Sequence, residues 1–184
     1  MLAFEIVVFC ILGLLELSVS VMTQKPCFLI GSQPIPSDVR PNPNVTCPGP
    51  KVLFGAVPDL SYNKVLYSTI DFQLKGTLSP VGFALATFDI TLDNPDTQNG
   101  ESDLETFEAL YNAMNAALRS LGNRPAVALI KGPHFFLGMQ LARLRKDNGP
   151  KGALRNLKKT IKNCAHCSEA DFAKLEKIRQ SLPV

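Results

Sequence analysis

The sequence predicts an α/β fold, and three patterns predict it. Leu66, Ser68, Ile70, Phe72 and Leu74 alternate with Val65, Tyr67, Thr69, Asp71 and Gln73, the period of a half-buried strand. An apolar run from Val81 to Leu92, an amphipathic stretch and a second apolar run, Ala126 to Ile130, then follow in order. Strand, crossover helix and strand in succession make an α/β unit. Two stripes at helical spacing, Leu154, Leu157 and Ile161, then Phe172, Leu175, Ile178 and Leu182, close the chain as C-terminal helices.

Each element has a local reason. Gly76 and Pro80 bracket a turn between the first two strands, which suggests a hairpin. Val81 to Leu92 is apolar on both faces, as a strand covered on both sides would be. Asp93 to Gly100 is dense in turn formers, and Ser102 with Glu105 reads as a capping box. The helix behind it carries Leu104, Phe107, Leu110, Tyr111, Met114, Leu118 and Leu121 on one stripe and closes at Gly122. Pro125 opens the next strand. The segment Gly132-Pro133-His134-Phe135-Phe136-Leu137-Gly138 reads as a loop running into another helix, with free N–H groups suited to an anion or a polarised carbonyl. Ser168 caps the last helix.

Domain organisation follows from composition. Residues 1–22 form a leader with an unbroken apolar run from Ile6 to Leu15 and small residues at Ser18-Val19-Ser20. A cleaved signal peptide is the favoured reading, with an uncleaved membrane anchor or an alternative start behind it, since Glu5 stands where a positive charge is usual. Residues 23–60, which hold Pro26, Pro34, Pro36, Pro41, Pro43, Pro48 and Pro50, read as a Pro-rich arm. Residues 61–184 are the domain proper.

At 184 residues, with 46% apolar and 19% charged residues, the chain has the make-up of one globular domain rather than a disordered one. A net charge of +3 is too small to argue for nucleic acid. Basic residues gather between Arg143 and Lys162, either as a solvated helix face or as a surface that steers a polyanionic ligand. Apart from Cys10 in the leader there are four cysteines, Cys27, Cys47, Cys164 and Cys167. Three pairings are open to them, and sequence does not choose. Cys164-Ala165-His166-Cys167 has the spacing of a disulfide, a redox pair or half a zinc site. Asn44-Val45-Thr46 is a glycosylation sequon for a chain that enters the secretory pathway. No Ser/His/Asp triad, P-loop or dinucleotide fingerprint is present.

Several of these segments together carry a resemblance. Phe88-Asp89-Ile90-Thr91-Leu92-Asp93-Asn94-Pro95, then Asn99, the 104–121 helix, and Ala126-Val127-Ala128-Leu129-Ile130-Lys131-Gly132 resemble the opening of the crotonase superfamily, the enoyl-CoA hydratase/isomerase proteins. Phe135, Gly138 and Leu141 match that family's following loop. Leu137 stands where the family has a small residue, Gln140 where it has an acid, and the leader is foreign to it.

The resemblance implies crotonase-like ββα units, partial because the chain covers the N-terminal half only. It implies an acyl-CoA-binding segment of fatty acid metabolism, with a coenzyme A thioester as ligand and no bound cofactor or metal. The Leu137 N–H beside Gly138 would serve as an oxyanion donor, and Asn99 and Gly132 would contact the coenzyme. The second oxyanion loop and the catalytic carboxylates would lie beyond Val184, so no turnover is expected from the chain alone. The resemblance also implies homo-oligomers and a mitochondrial, peroxisomal or cytoplasmic location. The competing class is a secreted, disulfide-containing glycoprotein that acts as a binding or interaction module, favoured by the leader, the sequon and the four cysteines. His134 reads as a ligand contact or, more plainly, a loop cap.

Overall fold

Among the described residues, the apolar segments 81–87 and 126–130 are helical, not strands. The computed structural model describes residues 25–90, 100–145 and 149–182, and at Lys75, Gly149 and Pro150 the backbone alone. Two short antiparallel hairpins come first. β1 (Val52–Leu53) pairs with β2 (Val57–Pro58), and β3 (Ser61–Tyr62) with β4 (Val65–Leu66). Two 3-10 turns follow, Tyr67–Thr69 and Phe72–Lys75. Then come α1 (Pro80–Thr87), α2 (Glu101–Ser120), α3 (Arg124–Arg145), α4 (Gly149–Lys162) and α5 (Glu169–Ser181).

The α/β expectation is therefore corrected: among the described residues there is no parallel sheet and no ββα unit. The alternating segment 65–74 is a hairpin arm and two 3-10 turns. Asp59 and Asp71 decide this locally. Asp59 Oδ1 accepts from the N–H groups of Leu60 and Ser68, both at 3.0 Å, which folds the chain back on itself. Asp71 Oδ1 accepts from Gln73 N at 3.2 Å and starts the second turn. Val81 to Thr87 of the expected second strand lie in α1, because Ser79 caps it (Gly82 N to Ser79 Oγ, 2.8 Å) and Pro80 sits at the first helical position; Thr91 and Leu92, with the expected turn from Asp93 to Asn99, lie outside the described residues. An apolar run buried on both sides does not distinguish strand from helix; the Ser-Pro pair does.

The second expected strand, 126–130, and the loop after it are one helix, α3. Asn123 Oδ1 accepts from Ala126 N at 3.1 Å, and Pro125 falls in the first turn, where its missing N–H costs nothing. Pro133 lies inside α3 and removes one ladder bond there. The glycines that looked like loop punctuation are packing devices. A Cβ on Gly132 would lie 2.5 Å from Val81 Cγ2 and 2.8 Å from the Asn163 carbonyl oxygen. A Cβ on Gly138 would lie 3.1 Å from Asn156 Nδ2. α1 and α4 thus close onto α3 at backbone distance.

α2 runs where its stripe placed it, with Leu104, Leu110, Tyr111, Met114 and Leu118 all at 0% exposure. Its start differs from the expected Ser102–Glu105 box: Gly100 is the cap, and its N–H donates to Asp103 Oδ2 at 3.2 Å. It ends at Gly122, whose φ of +70° suits glycine. α5 begins at Ser168 as expected, through a reciprocal box with Asp171. The core is one cluster, and α2 with α3 forms its centre. Tyr67, Tyr111, Phe88 and Phe83 continue it toward the hairpins, with Tyr67–Tyr111 rings 5.1 Å apart and Phe83–Phe88 edge to face at 5.6 Å.

The Pro-rich arm is no mere linker, since Phe28, Val45, Leu53, Val57 and Leu60 are buried in the core. Cys27 is bonded to Cys47, and Cys164 to Cys167. The first staples the arm; the second joins the end of α4 to the start of α5. Among the described residues no helix is long and apolar enough to cross a membrane. The leader lies outside them.

Gly132→Ala should destabilise the fold by about 1–3 kcal/mol, the usual cost of overpacking. Gly138→Ala should cost less, because the Asn156 side chain can swing away. Urea denaturation of both variants checks the order; equal costs would show that the α1–α3–α4 contact is looser than described.

Candidate functional site

Where the arm meets the turn between α2 and α3, the fold encloses an open cleft of about 820 Å³. Backbone contacts place its outer wall. Gly31 N donates to Ser120 Oγ at 3.1 Å, and Gln33 N donates to the Ser120 carbonyl at 2.9 Å. A Cβ on Gly31 would lie 1.9 Å from that carbonyl oxygen, so only glycine lets the arm approach so closely. Gln33, Pro34 and Pro36 then form the wall. The opposite side is the end of α2, with Arg119, Leu121 and Gly122. The floor is one face of α3, where Arg124, Val127 and Lys131 recur at helical spacing.

The charge in this cleft is one-sided. Arg119, Arg124 and Lys131 line it, and no Asp or Glu does. Arg119 Nε donates to Asn115 Oδ1 at 2.8 Å, which fixes the guanidinium and leaves its other N–H donors for a ligand. Among the described residues neither Arg124 nor Lys131 makes an ion pair. The positive end of α3 adds to their field. Three cations around a cavity of small-molecule size suit an anion of more than one charge, gripped by arginine forks and a lysine point charge.

His134 follows Lys131 by one turn of α3. Burial, and then the positive charge of Arg119, push its pKa down from 6.5 to about 4, so it is neutral at ordinary pH. It lies within the helix, stacked on Phe135. It caps no loop.

The residues singled out for thioester binding are not gathered at a cavity. Leu137 is fully buried inside α3, where backbone N–H groups are taken by carbonyls four residues back, so no free amide remains for an oxyanion. Gly138 faces Asn156, and Gly132 is closed between Val81 and Asn163. Asn99 lies outside the described residues. Gln140 is buried and donates to Asp89 Oδ1 at 2.7 Å, tying α3 to the segment after α1. The disulfide between Cys164 and Cys167 uses both thiolates a zinc site would need, and among the described residues no three His, Cys, Asp or Glu converge on a metal position. Asn44 is exposed beside a second groove, of about 510 Å³, with its sequon neighbour Val45 anchored in the core.

Sequence reasoning missed the cleft because its cations are few and scattered between two helices. The available signal was Arg119, Arg124 and Lys131 flanking a Gly122-Asn123 helix break without an acid among residues 109–145.

The class defined by this fold and site is a small helical domain with a disulfide-stapled arm and a basic cleft. The chain belongs to the family described as a domain of unknown function (DUF7143), whose model matches residues 29–182. That span takes in the arm from Leu29, both walls of the cleft and α1 to α5. No curated protein matches the chain, and no solved structure matches it.

Because the folded-state pKa of His134 lies below 6.5, the unfolded chain takes up a proton first as pH falls. The contribution of His134 to stability is therefore full above about pH 6.5 and is lost as pH drops toward 4. An anion bound at Arg119 should raise the His134 pKa by cancelling a neighbouring positive charge. Titration of the His134 ring proton by NMR, with and without 10-fold excess pyrophosphate (roughly 10 times the protein, so that mass action favours the complex), checks this; an unmoved titration midpoint would count against an anion at Arg119.

Proposed function

We propose that this chain is an exported, disulfide-stapled glycoprotein that works as a binding module, taking a small, multiply charged anion into the cleft between the arm and the α2–α3 turn. The observation that carries the reading is the trio Arg119, Arg124 and Lys131 around one cavity with no carboxylate in its lining. Cations drawn together without counter-charges repel one another, and a fold that keeps them so is stabilised by a ligand that supplies the missing charge. The Cys27–Cys47 and Cys164–Cys167 bonds fit an oxidising compartment. An exposed Asn44 in an Asn-Val-Thr sequon fits the same route.

The acyl-CoA reading loses the feature that recommended it, because its oxyanion loop is the middle of a buried helix. Coenzyme A remains a useful probe, since its phosphates are the chemistry this cleft suits.

The test is titration calorimetry on the full chain secreted from a eukaryotic host, with pyrophosphate, citrate and coenzyme A as ligands. Saturable binding of at least one is expected. Arg124→Glu/Lys131→Glu should weaken it at least about tenfold, some 1.4 kcal/mol. Absence of binding by all three, or equal binding by the double variant, overturns the cleft as the site. Binding of coenzyme A that phosphate-free pantetheine reproduces would show that the pantetheine arm is recognised and would overturn the anion reading.

A further inference from the structure

Away from the cleft, α4 carries the densest positive charge among the described helices. Its residues 149–162 hold Lys151, Arg155, Lys158, Lys159 and Lys162 and no Asp or Glu. All five cations are exposed, and together with Leu154 they line a shallow groove of about 440 Å³. Among the described residues none of the five has a salt-bridge partner. Lys159 is held in place, its Nζ lying 5.0 Å over the Phe135 ring. The buried side of α4, with Ala153, Leu157 and Thr160, is seated on α3 by the close contacts at Gly132 and Gly138. The ridge is therefore a rigid one. Lys151, Arg155, Lys158 and Lys162 recur once per turn, about 5.4 Å apart along the axis.

We propose that this ridge is a docking surface for a linear acidic polysaccharide, a polymer whose carboxylates or sulfates recur along its length as these cations do. Three features choose that occupant. A repeated row of like charges suits a repeated row of opposite charges, and the alkyl stems with Leu154 offer a strip for the faces of sugar rings. A bilayer would also need an apolar wedge, and none of the exposed large hydrophobics (Ile30, Val52, Leu74, Leu78, Leu144 and Phe172) lies on α4. A single-stranded nucleic acid would need exposed rings to stack on, and α4 itself has no aromatic residue. The choice of a polysaccharide over an intracellular polyanion rests on the export reading above; the ridge does not.

Binding of the full chain to size-defined heparin and to polygalacturonate, followed against salt, tests this, with a 20-bp DNA duplex (about 20 bp, long enough to cover the ridge at one charge per 1.7 Å) and phosphatidylserine vesicles as competitors for the assignment. At least one polysaccharide should bind more tightly than duplex or vesicles. Lys151→Gln/Arg155→Gln/Lys158→Gln/Lys162→Gln should lower its affinity at least tenfold and flatten the salt slope by about 3. Arg124→Glu/Lys131→Glu should leave it within about threefold, which separates failure of the ridge from failure of the cleft. Circular dichroism and the melting temperature of the neutral variant show that α4 is intact. Unchanged affinity in the neutral variant overturns the ridge as the surface. Tighter binding to duplex or vesicles overturns the polysaccharide. A mass spectrum with no glycan on Asn44 would count against export and leave the ridge itself standing.

Discussion

Among the contacts that join the arm to the helical body, the one at the cleft is a backbone contact that admits no side chain. Gly31 rests on the Ser120 carbonyl at the end of α2, and the hydrogen bonds from Gly31 and Gln33 use the hydroxyl and carbonyl of that same serine. Helix ends leave carbonyls unpaired, and here the arm supplies one of the missing donors. Phe28, at 0% exposure, and the Cys27–Cys47 bond hold the arm on either side of the contact. A closed loop of that length removes unfolded-state freedom worth about 3 kcal/mol in the chain-entropy account. Without this joint the cleft would have one wall.

A second economy organises the helices. Asp171 opens α5, yet its Oδ2 also receives the Ser79 hydroxyl at 2.8 Å and the Ser168 N–H at 2.9 Å, and Ser79 in turn caps α1. One carboxylate thereby fixes the starts of two helices far apart in sequence, and its negative charge faces the positive ends of both. Gly82 must be small for this to fit, since a Cβ there would stand 2.9 Å from Asp171 Oδ1. The Cys164–Cys167 bond lies beside the network, with Ser79 Oγ 3.8 Å from Cys167 Sγ. The CxxC pair is a brace at a helix turn.

How much of this was legible depended on whether local patterns and tertiary packing agreed. In α2 the amphipathic stripe, the acids in the first turn and the glycine at the end agreed, and apart from its cap at Gly100 it lies where those signals place it. The stripe on α4 and the Ser168 start of α5 were likewise readable. α1 hides its periodicity because it is buried on several sides, and α3 because apolar Ala128 and Leu129 also occupy its outer face. Five apolar residues in a row, Ala126 to Ile130, fit a strand or the first turns of a helix equally well. Gly132, Pro133 and Gly138 reinforced the error, since residues that usually break helices here serve contact at Val81, Asn163 and Asn156, a relation visible only in three dimensions. The resemblance to crotonases drew on those same segments, and the helical fold gives it no support. Of the candidate cleft only the acid-free run with Arg119, Arg124 and Lys131 was legible. Its arginines and lysine come from two helices and its other wall from the arm, and nothing in the spacing announces that Gly31 lands on Ser120.

The cleft and the α4 ridge are two separate concentrations of positive charge on a chain whose net charge is only +3. Acids elsewhere balance them. Glu101 and Glu105, for instance, are committed to Arg145 at the far end of α2. Such segregation creates local potential that an even distribution would not. The central claim is that the Gly31 joint makes the anion site, and it is tested most directly by calorimetric titration of Gly31→Ala with pyrophosphate, citrate and coenzyme A. The account predicts that the variant keeps its helical circular dichroism while losing at least about tenfold in affinity for the anion the wild type binds. Unaltered affinity in a folded Gly31→Ala protein would contradict it.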